Sequence, residues 1–385
     1  MKLFPNIHRT KPEKVKIMRK LAITAVAVAA VAAMALTGCS SRGSDNAGSS
    51  GSAAAGFAAN SVIGVALPAK TSENWVLAGD LFTTDLTNAG FQPDVQYAAA
   101  TGTVADQQNQ ISSMVTKGAK VIIIGAADGG QLSAQVKAAH DAGATVIAYD
   151  RLILNSPNVD YYVAYDNEKV GELQGQALLD GMKAKYPDAK SYNIELFSGS
   201  PDDANSAVFF NGAMKVLQPK IDDGTLKVVS GQTAIAQTAT QGWLAQNAQT
   251  RMDTLLAANY SGNTVINGVL SPNDTLARAI ITSVKAAGKD LPIVTGQDSE
   301  VESVKSIMAG EQYSTINKDT RGLVEQAVKM VQELQQGKTV DTNDTTSYNN
   351  GVKVVPAFLL PPQLVTKANA AQSYANDPTL EPLTK

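Results

Sequence analysis

From Ser61 to Leu360 the chain repeats one unit: a short run of β-branched residues, a polar loop, then a stretch with helical periodicity. Strands are predicted over 61–67, 95–97, 121–124, 145–149, 161–165, 192–197, 226–229, 265–270, 293–295 and 313–316. Helices are predicted over 75–89, 105–117, to 142, from 168, from 204, near 248–258, then 276–287, 301–309 and 323–335, and 352–360 closes the pattern in extended chain. Residues 121–124 are four apolar residues in a row, which suits a parallel sheet buried on both faces. Alternation of this length implies an α/β protein of open parallel sheets with right-handed crossovers. About eleven strands exceed one ordinary open sheet, so two are expected.

Ligands of such sheets bind beyond the carboxyl ends of the strands. Asp150-Arg151 follows one predicted strand, and Asp202, Asp203 and Asn205 follow another. Asn273-Asp274 trails Leu270, Gln297-Asp298 trails Thr295, and Asn317-Lys318-Asp319 trails Ile316. None of these ends pairs a nucleophile with a base. Carboxylates accept from adjacent hydroxyls, amides donate and accept, and Arg or Lys donates to hydroxyl and ring oxygens; the set suits an uncharged, polyhydroxylated ligand. The plainer reading is that the acids and amides are helix N-caps; Arg151 and Lys318 cannot be. The chain has two tryptophans, Trp75 and Trp243, both beside predicted helix starts. Either could be a core aromatic, but indole is also the largest flat apolar surface available to cover the C–H face of a pyranose.

Upstream, Lys2, Arg9, Lys11, Lys14, Lys16, Arg19 and Lys20 precede an apolar run from Leu21 to Leu36. This is the n-region and h-region of an export signal over 1–38, with Met18 an alternative start. At 16 residues the run falls short of the ~20 that a membrane-spanning helix needs. Leu36-Thr37-Gly38-Cys39 resembles a lipoprotein lipobox, and Cys39 is the chain's single cysteine, so it is expected to carry a lipid rather than a disulfide. Residues 39–60, rich in Ser, Gly and Ala, read as a flexible tether. Residues 1–38 hold seven of the 32 basic residues and one of the 35 acidic ones, so without them the net charge is −9. No basic cluster survives, which argues against a nucleic-acid partner.

Long strings carry a family resemblance. They are Ala148-Tyr149-Asp150-Arg151-Leu152-Ile153, Asp166 through Gln174, Gly199-Ser200-Pro201-Asp202-Asp203, Gly296-Gln297-Asp298 and Asn350 through Pro356. From about Ile63 to Leu364 the chain resembles the ribose/galactose/xylose-type monosaccharide-binding proteins of ABC importers, and within them the xylose-binding and multiple-sugar-binding branch. The resemblance implies a type I periplasmic binding protein: two Rossmann-like lobes joined by a three-segment hinge. Crossings near Tyr162, Ile316 and Pro356 would make one lobe of 61–161 plus 317–355 and the other of 162–316 plus 356–385. It implies an aldopentose or aldohexose ligand such as xylose, arabinose, galactose or glucose, delivered to a permease by a monomer that closes around it. Asp150, Arg151, Lys318, Asp203, Asn205, Asn273 and Asp298 would contact the sugar, with Trp75 and Trp243 sandwiching the ring. At position 74 the branch usually has Arg, and this chain has Asn74, which is expected to contact the sugar as a weaker donor, with Lys70 or Glu73 in the same loop able to compensate. Asn317 stands where a bulkier residue is common, with consequences for pocket size.

An enzyme, perhaps a glycosidase, is the first rival, since paired carboxylates invite that chemistry. Histidine offers it little: His8 lies in the signal and His140 in a helical segment. No catalytic residue, metal site or cofactor is expected. A sugar sensor that presents its ligand to a chemoreceptor or sensor kinase would share the fold. A repressor would need a basic DNA-binding headpiece, which the sequence lacks.

Overall fold

The computed structural model describes residues 56–70, 72–99 and 103–385; the expected export signal and Cys39 lie outside them. Strands β1 (Val62–Leu67), β2 (Gln92–Tyr97), β3 (Val121–Ile124), β4 (Thr145–Tyr149) and β5 (Tyr161–Tyr165) alternate with helices α1 (Glu73–Asn88), α2 (Thr103–Thr116) and α3 (Ser133–Asp141). Helix α4 (Asn167–Lys185) then opens a second series: β6 (Tyr192–Leu196), α5 (Ala204–Asp222), β7 (Leu226–Val228), α6 (Ile235–Thr238) and α7 (Ala245–Asn259). It continues through β8 (Gly268–Leu270), α8 (Asp274–Ala286), β9 (Ile293–Val294), α9 (Val301–Ala309), β10 (Ser314–Asn317) and α10 (Thr320–Gln335). Strands β11 (Ala357–Leu360) and β12 (Gln363–Thr366) follow.

The strands form two separate parallel sheets. The first runs β11-β5-β4-β3-β1-β2 and the second β7-β6-β8-β9. An antiparallel pair, β10-β12, flanks the second, where the Tyr313 N–H donates to the Val294 carbonyl at 3.0 Å. Alternate side chains of the first sheet feed opposite cores, as the two-residue period of a strand requires. Val121 and Ile123 of β3 join Phe82, Leu86 and Val324 on one face; Ile122 and Ile124 join Met114, Val136 and Tyr162 on the other.

Strand pairing moves two of the three crossings between lobes. All of β5 belongs to the first sheet, and β11 lies alongside it from Ala357↔Tyr162 to Leu360↔Tyr165. The chain therefore crosses after Tyr165 rather than at Tyr162, and after Leu360 rather than at Pro356. Strands of the two lobes share one period and one composition, so apolar pattern alone places no boundary among them. The return crossing runs through Lys318 and Asp319, between β10 and α10.

The folded part also begins earlier than the composition of residues 39–60 implies. Phe57 packs near Phe91, with ring centroids 6.2 Å apart, and exchanges hydrogen bonds with Gln335, its own N–H donating to the Gln335 carbonyl and its carbonyl accepting from Gln335 Nε2. One large apolar side chain in a small-residue run is enough to dock that segment on the first lobe.

Helices α4 and α5 approach until their backbones touch. A Cβ at Gly171 would lie 2.0 Å from the Phe209 carbonyl oxygen, and one at Gly212 would lie 2.3 Å from that of Glu168. Gly171→Ala would gain about 1 kcal/mol of helix propensity, but no backbone atom can swing aside for the new methyl. We expect a net loss of about 1–3 kcal/mol, seen as a lower midpoint in urea or thermal unfolding followed by circular dichroism.

Candidate functional site

Where the strands end, the backbone bends sharply. Asp150 after β4 has φ 60°, Asp298 after β9 has φ 96°, and Trp243, in a 3₁₀ turn at Gln241–Trp243, has φ 55°. Left-handed backbone at a non-glycine residue costs on the order of 1–3 kcal/mol and persists only where its surroundings enforce it. Here the enforcement is visible. The Asp150 N–H donates to the Val163 carbonyl at 2.8 Å, that of Asp298 to Ile316 at 2.9 Å and that of Trp243 to Thr240 at 3.1 Å.

These bends converge on a cavity of about 670 Å³ between the two lobes, within the range of small-molecule sites. All ten residues proposed from sequence line it. From the first lobe, Trp75 is 9% exposed and meets Tyr149 edge-on at 6.2 Å, while the Arg151 guanidinium lies 5.4 Å from its ring. From the second, Trp243 donates its Nε1–H to Asp203 Oδ2 at 3.2 Å and packs so close to Gly199 that a Cβ there would come within 2.2 Å of the ring. Both indoles are braced by their own lobe and still reach the cavity.

Asp203 and Asn273 each cap a helix and also line the cavity. Asp203 Oδ1 accepts from the Asn205 N–H at the start of α5, leaving Oδ2 to face Trp243 and, 3.1 Å away, Arg151 Nε. That ion pair is close but lies off the N–H direction, so Arg151 Nε makes no hydrogen bond. Asn273 Oδ1 caps α8 through the Leu276 N–H, and its Nδ2 has no acceptor among the described residues. Asn205 spans the cleft: its Nδ2 donates to the Asp150 carbonyl at 2.7 Å and its Oδ1 accepts from the Tyr162 hydroxyl at 3.3 Å.

Cations offset part of the carboxylate charge inside the cavity. Lys318 Nζ lies 2.9 Å from Asp298 Oδ1 and 5.4 Å from the Phe209 ring. Burial alone would pull its pKa down, but Asp298 and Asp150 outweigh it and the ammonium is held more firmly than usual. Burial lifts the Asp150 carboxyl above the ordinary carboxylate range, with Lys318 as the largest opposing influence. Among the described residues no group of three or more His, Cys, Asp or Glu side chains is placed to hold a metal ion.

Sequence reasoning missed Phe209 and Gln241, which also line the cavity, as does the strand-end Gln297. Phe209 was open to discovery, since it stands four residues after Asn205 and so on the same face of α5. It also misjudged the surroundings of residue 74. Asn74 Nδ2 donates to the Asp298 carbonyl at 3.3 Å, across the cleft. Lys70 and Glu73 are not among the lining residues: Lys70 stands over the Tyr97 ring and Glu73 reaches Val301. Asn317 pairs with Gln363 in the β10-β12 ladder, away from the cavity wall.

The periplasmic binding protein domain family matches residues 63–339. The chain belongs to that family. It is 50% identical over 318 residues to the multiple sugar-binding periplasmic receptor ChvE of Rhizobium radiobacter, covering 81% of this chain and 88% of that one. It is 36% identical over 316 residues to the D-xylose-binding periplasmic protein of Escherichia coli, covering 82% and 89%. An ABC transporter solute binding protein from Clostridium phytofermentans, solved with bound β-D-glucose, superposes with a TM-score of 0.80 at 38% identity, over 84% of this chain and all of that one.

The Asp150 shift has a sign that can be checked. Its folded pKa lies above the unfolded one, so the stability it contributes is present at low pH and is lost as pH rises through the raised value. Asp150→Asn keeps the side-chain shape and tolerates the left-handed backbone. We expect it to raise the thermal midpoint at neutral pH, with the gain shrinking as pH falls toward about 3.9, the ordinary aspartate value.

Proposed function

We propose that this periplasmic binding protein captures a monosaccharide outside the cytoplasm, closes on it and presents it to the permease of an ABC importer. One observation carries the reading. Two indoles and a belt of acids, amides and cations, contributed by both lobes, line a single cavity, in a family whose similar members are named for sugar binding.

Trp75 and Trp243 would cover the faces of a pyranose ring. Asp150, Asp203 and Asp298 would accept from its hydroxyls, while Arg151, Lys318, Asn205 and Asn273 would donate to its oxygens. A sugar touching both lobes binds the closed form better than the open one, and only that difference in affinity can drive closure. An aldohexopyranose or aldopentopyranose fits this chemistry. These seven polar groups account for sugar binding without a bond being broken, so no enzymatic role is assigned.

Titration calorimetry against glucose, galactose, xylose, arabinose and ribose is expected to give saturable binding to at least one, with a parallel change in tryptophan fluorescence. Silence from all five would overturn the reading. Trp243→Ala is expected to weaken binding about tenfold, or about 1.4 kcal/mol, from lost ring contact. Asp298→Ala should cost at least as much, since it removes a charged acceptor and strands Lys318.

We further propose that Cys39 carries the lipid that holds the receptor on the outer face of the cytoplasmic membrane. The sequence around Cys39, at the end of an apolar run, supports this. Cells fed a tagged fatty acid should label the wild-type chain and leave a Cys39→Ser variant unlabelled and released from membranes.

A further inference from the structure

Two residues at the start of α1 reach across the cleft to backbone alone. Ser72 is the N-cap of α1, Glu73 and Asn74 its first two helical residues. Asn74 Nδ2 donates to the Asp298 carbonyl at 3.3 Å, and Glu73 Oε2 accepts from the Val301 N–H at 3.1 Å. Val301 opens α9, whose own N-cap, Glu300, supplies no side-chain bond to the helix. The exposed N–H groups of a helix start carry partial positive charge and need acceptors. Here the acceptor is a carboxylate from the opposite lobe.

We infer that Glu73 and Asn74 form a clasp between the lobes that sets how often the receptor is closed. Of the other bridges between the lobes, Asn205 to Asp150 and Arg151 to Asp203 use groups of the binding belt itself, Gly129 to Asp202 is backbone to backbone, and Arg321 to Asp377 lies outside the cavity. Glu73 does not line the cavity, so its bond can form without involving those groups. Asn74 lines the cavity but commits its donor to the clasp, which gives residue 74 a part in closure as well as any part in sugar contact. A receptor that is closed more often when free spends less of its ligand's binding energy on closing, and its apparent affinity rises in proportion. The inference depends on the hinge reading above and not on which sugar is bound.

The test places a donor and an acceptor dye on exposed residues of opposite lobes of the full chain and reads the closed-to-open ratio without sugar. Glu73→Ala is expected to lower that ratio about two- to fivefold, the range for one exposed charge at a helix start. Val301→Pro removes the N–H from the other side, and proline is tolerated at the first helical position. It should give the same drop, and the double variant should fall no further than either single. Glucose, if bound, should dissociate faster from each variant by the same factor. An unchanged ratio in Glu73→Ala, or additive effects in the double variant, would overturn the clasp. Should Val301→Pro fail to fold, Glu73→Gln beside Glu73→Ala still decides, since both remove the charge. Failure of the wild-type chain to bind any sugar would sink the proposed function while the sugar-free ratios still judged the clasp.

Discussion

A carboxylate taken out of water must find a cation or a set of donors, or give up its charge. The cavity of this protein holds Asp150, Asp203 and Asp298 against Arg151 and Lys318, and the rest of the architecture serves that balance. Lys318 lies on the strand-to-helix crossing between lobes, Asp298 on the loop after β9, Asp150 and Arg151 after β4, Asp203 at the head of α5. The Arg151–Asp203 pair joins the ends of the two sheets, and Lys318 meets Asp298 at the crossing itself. The carboxylates are offset only in part, and most when both lobes contribute. A ligand rich in hydroxyl groups fits such a site because it can exchange hydrogen bonds with each of these groups without adding charge.

Backbone strain follows the same logic. Asp150, Trp243 and Asp298 are three of the five non-glycine residues with left-handed φ among the described residues. The fold holds them there through backbone bonds to neighbouring strands and turns. Unfavourable conformation is concentrated where side chains must be aimed, and well-packed sheets beneath sustain it.

Much of this was legible in the sequence because parallel sheets and strand-end sites follow simple periodic rules. The apolar runs ending at Tyr149 and Leu270 announced their strands, and the polar residues just beyond them reached the cavity. What stayed hidden was set by tertiary pairing. Nothing in Tyr161–Tyr165 says which sheet it joins, and β12 is too short and too polar to stand out. Asn74 read as a ligand donor because its contact, the Asp298 carbonyl, is 224 residues away and belongs to backbone that no side-chain pattern reveals. Phe57 was hidden by its small-residue neighbours.

The glycine seam between α4 and α5 has a mechanical meaning. Helix α4 starts immediately after the first crossing, and Glu168, in its first turn, is the residue against which Gly212 is seated; Gly171 in turn meets Phe209, one turn below Asn205. At Gly171 and Gly212 backbone is pressed on backbone, with no side chain between the helices there to absorb a twist. The seam thus ties the chain just past the first crossing rigidly to the head of α5, which carries Asp203, Asn205 and Phe209.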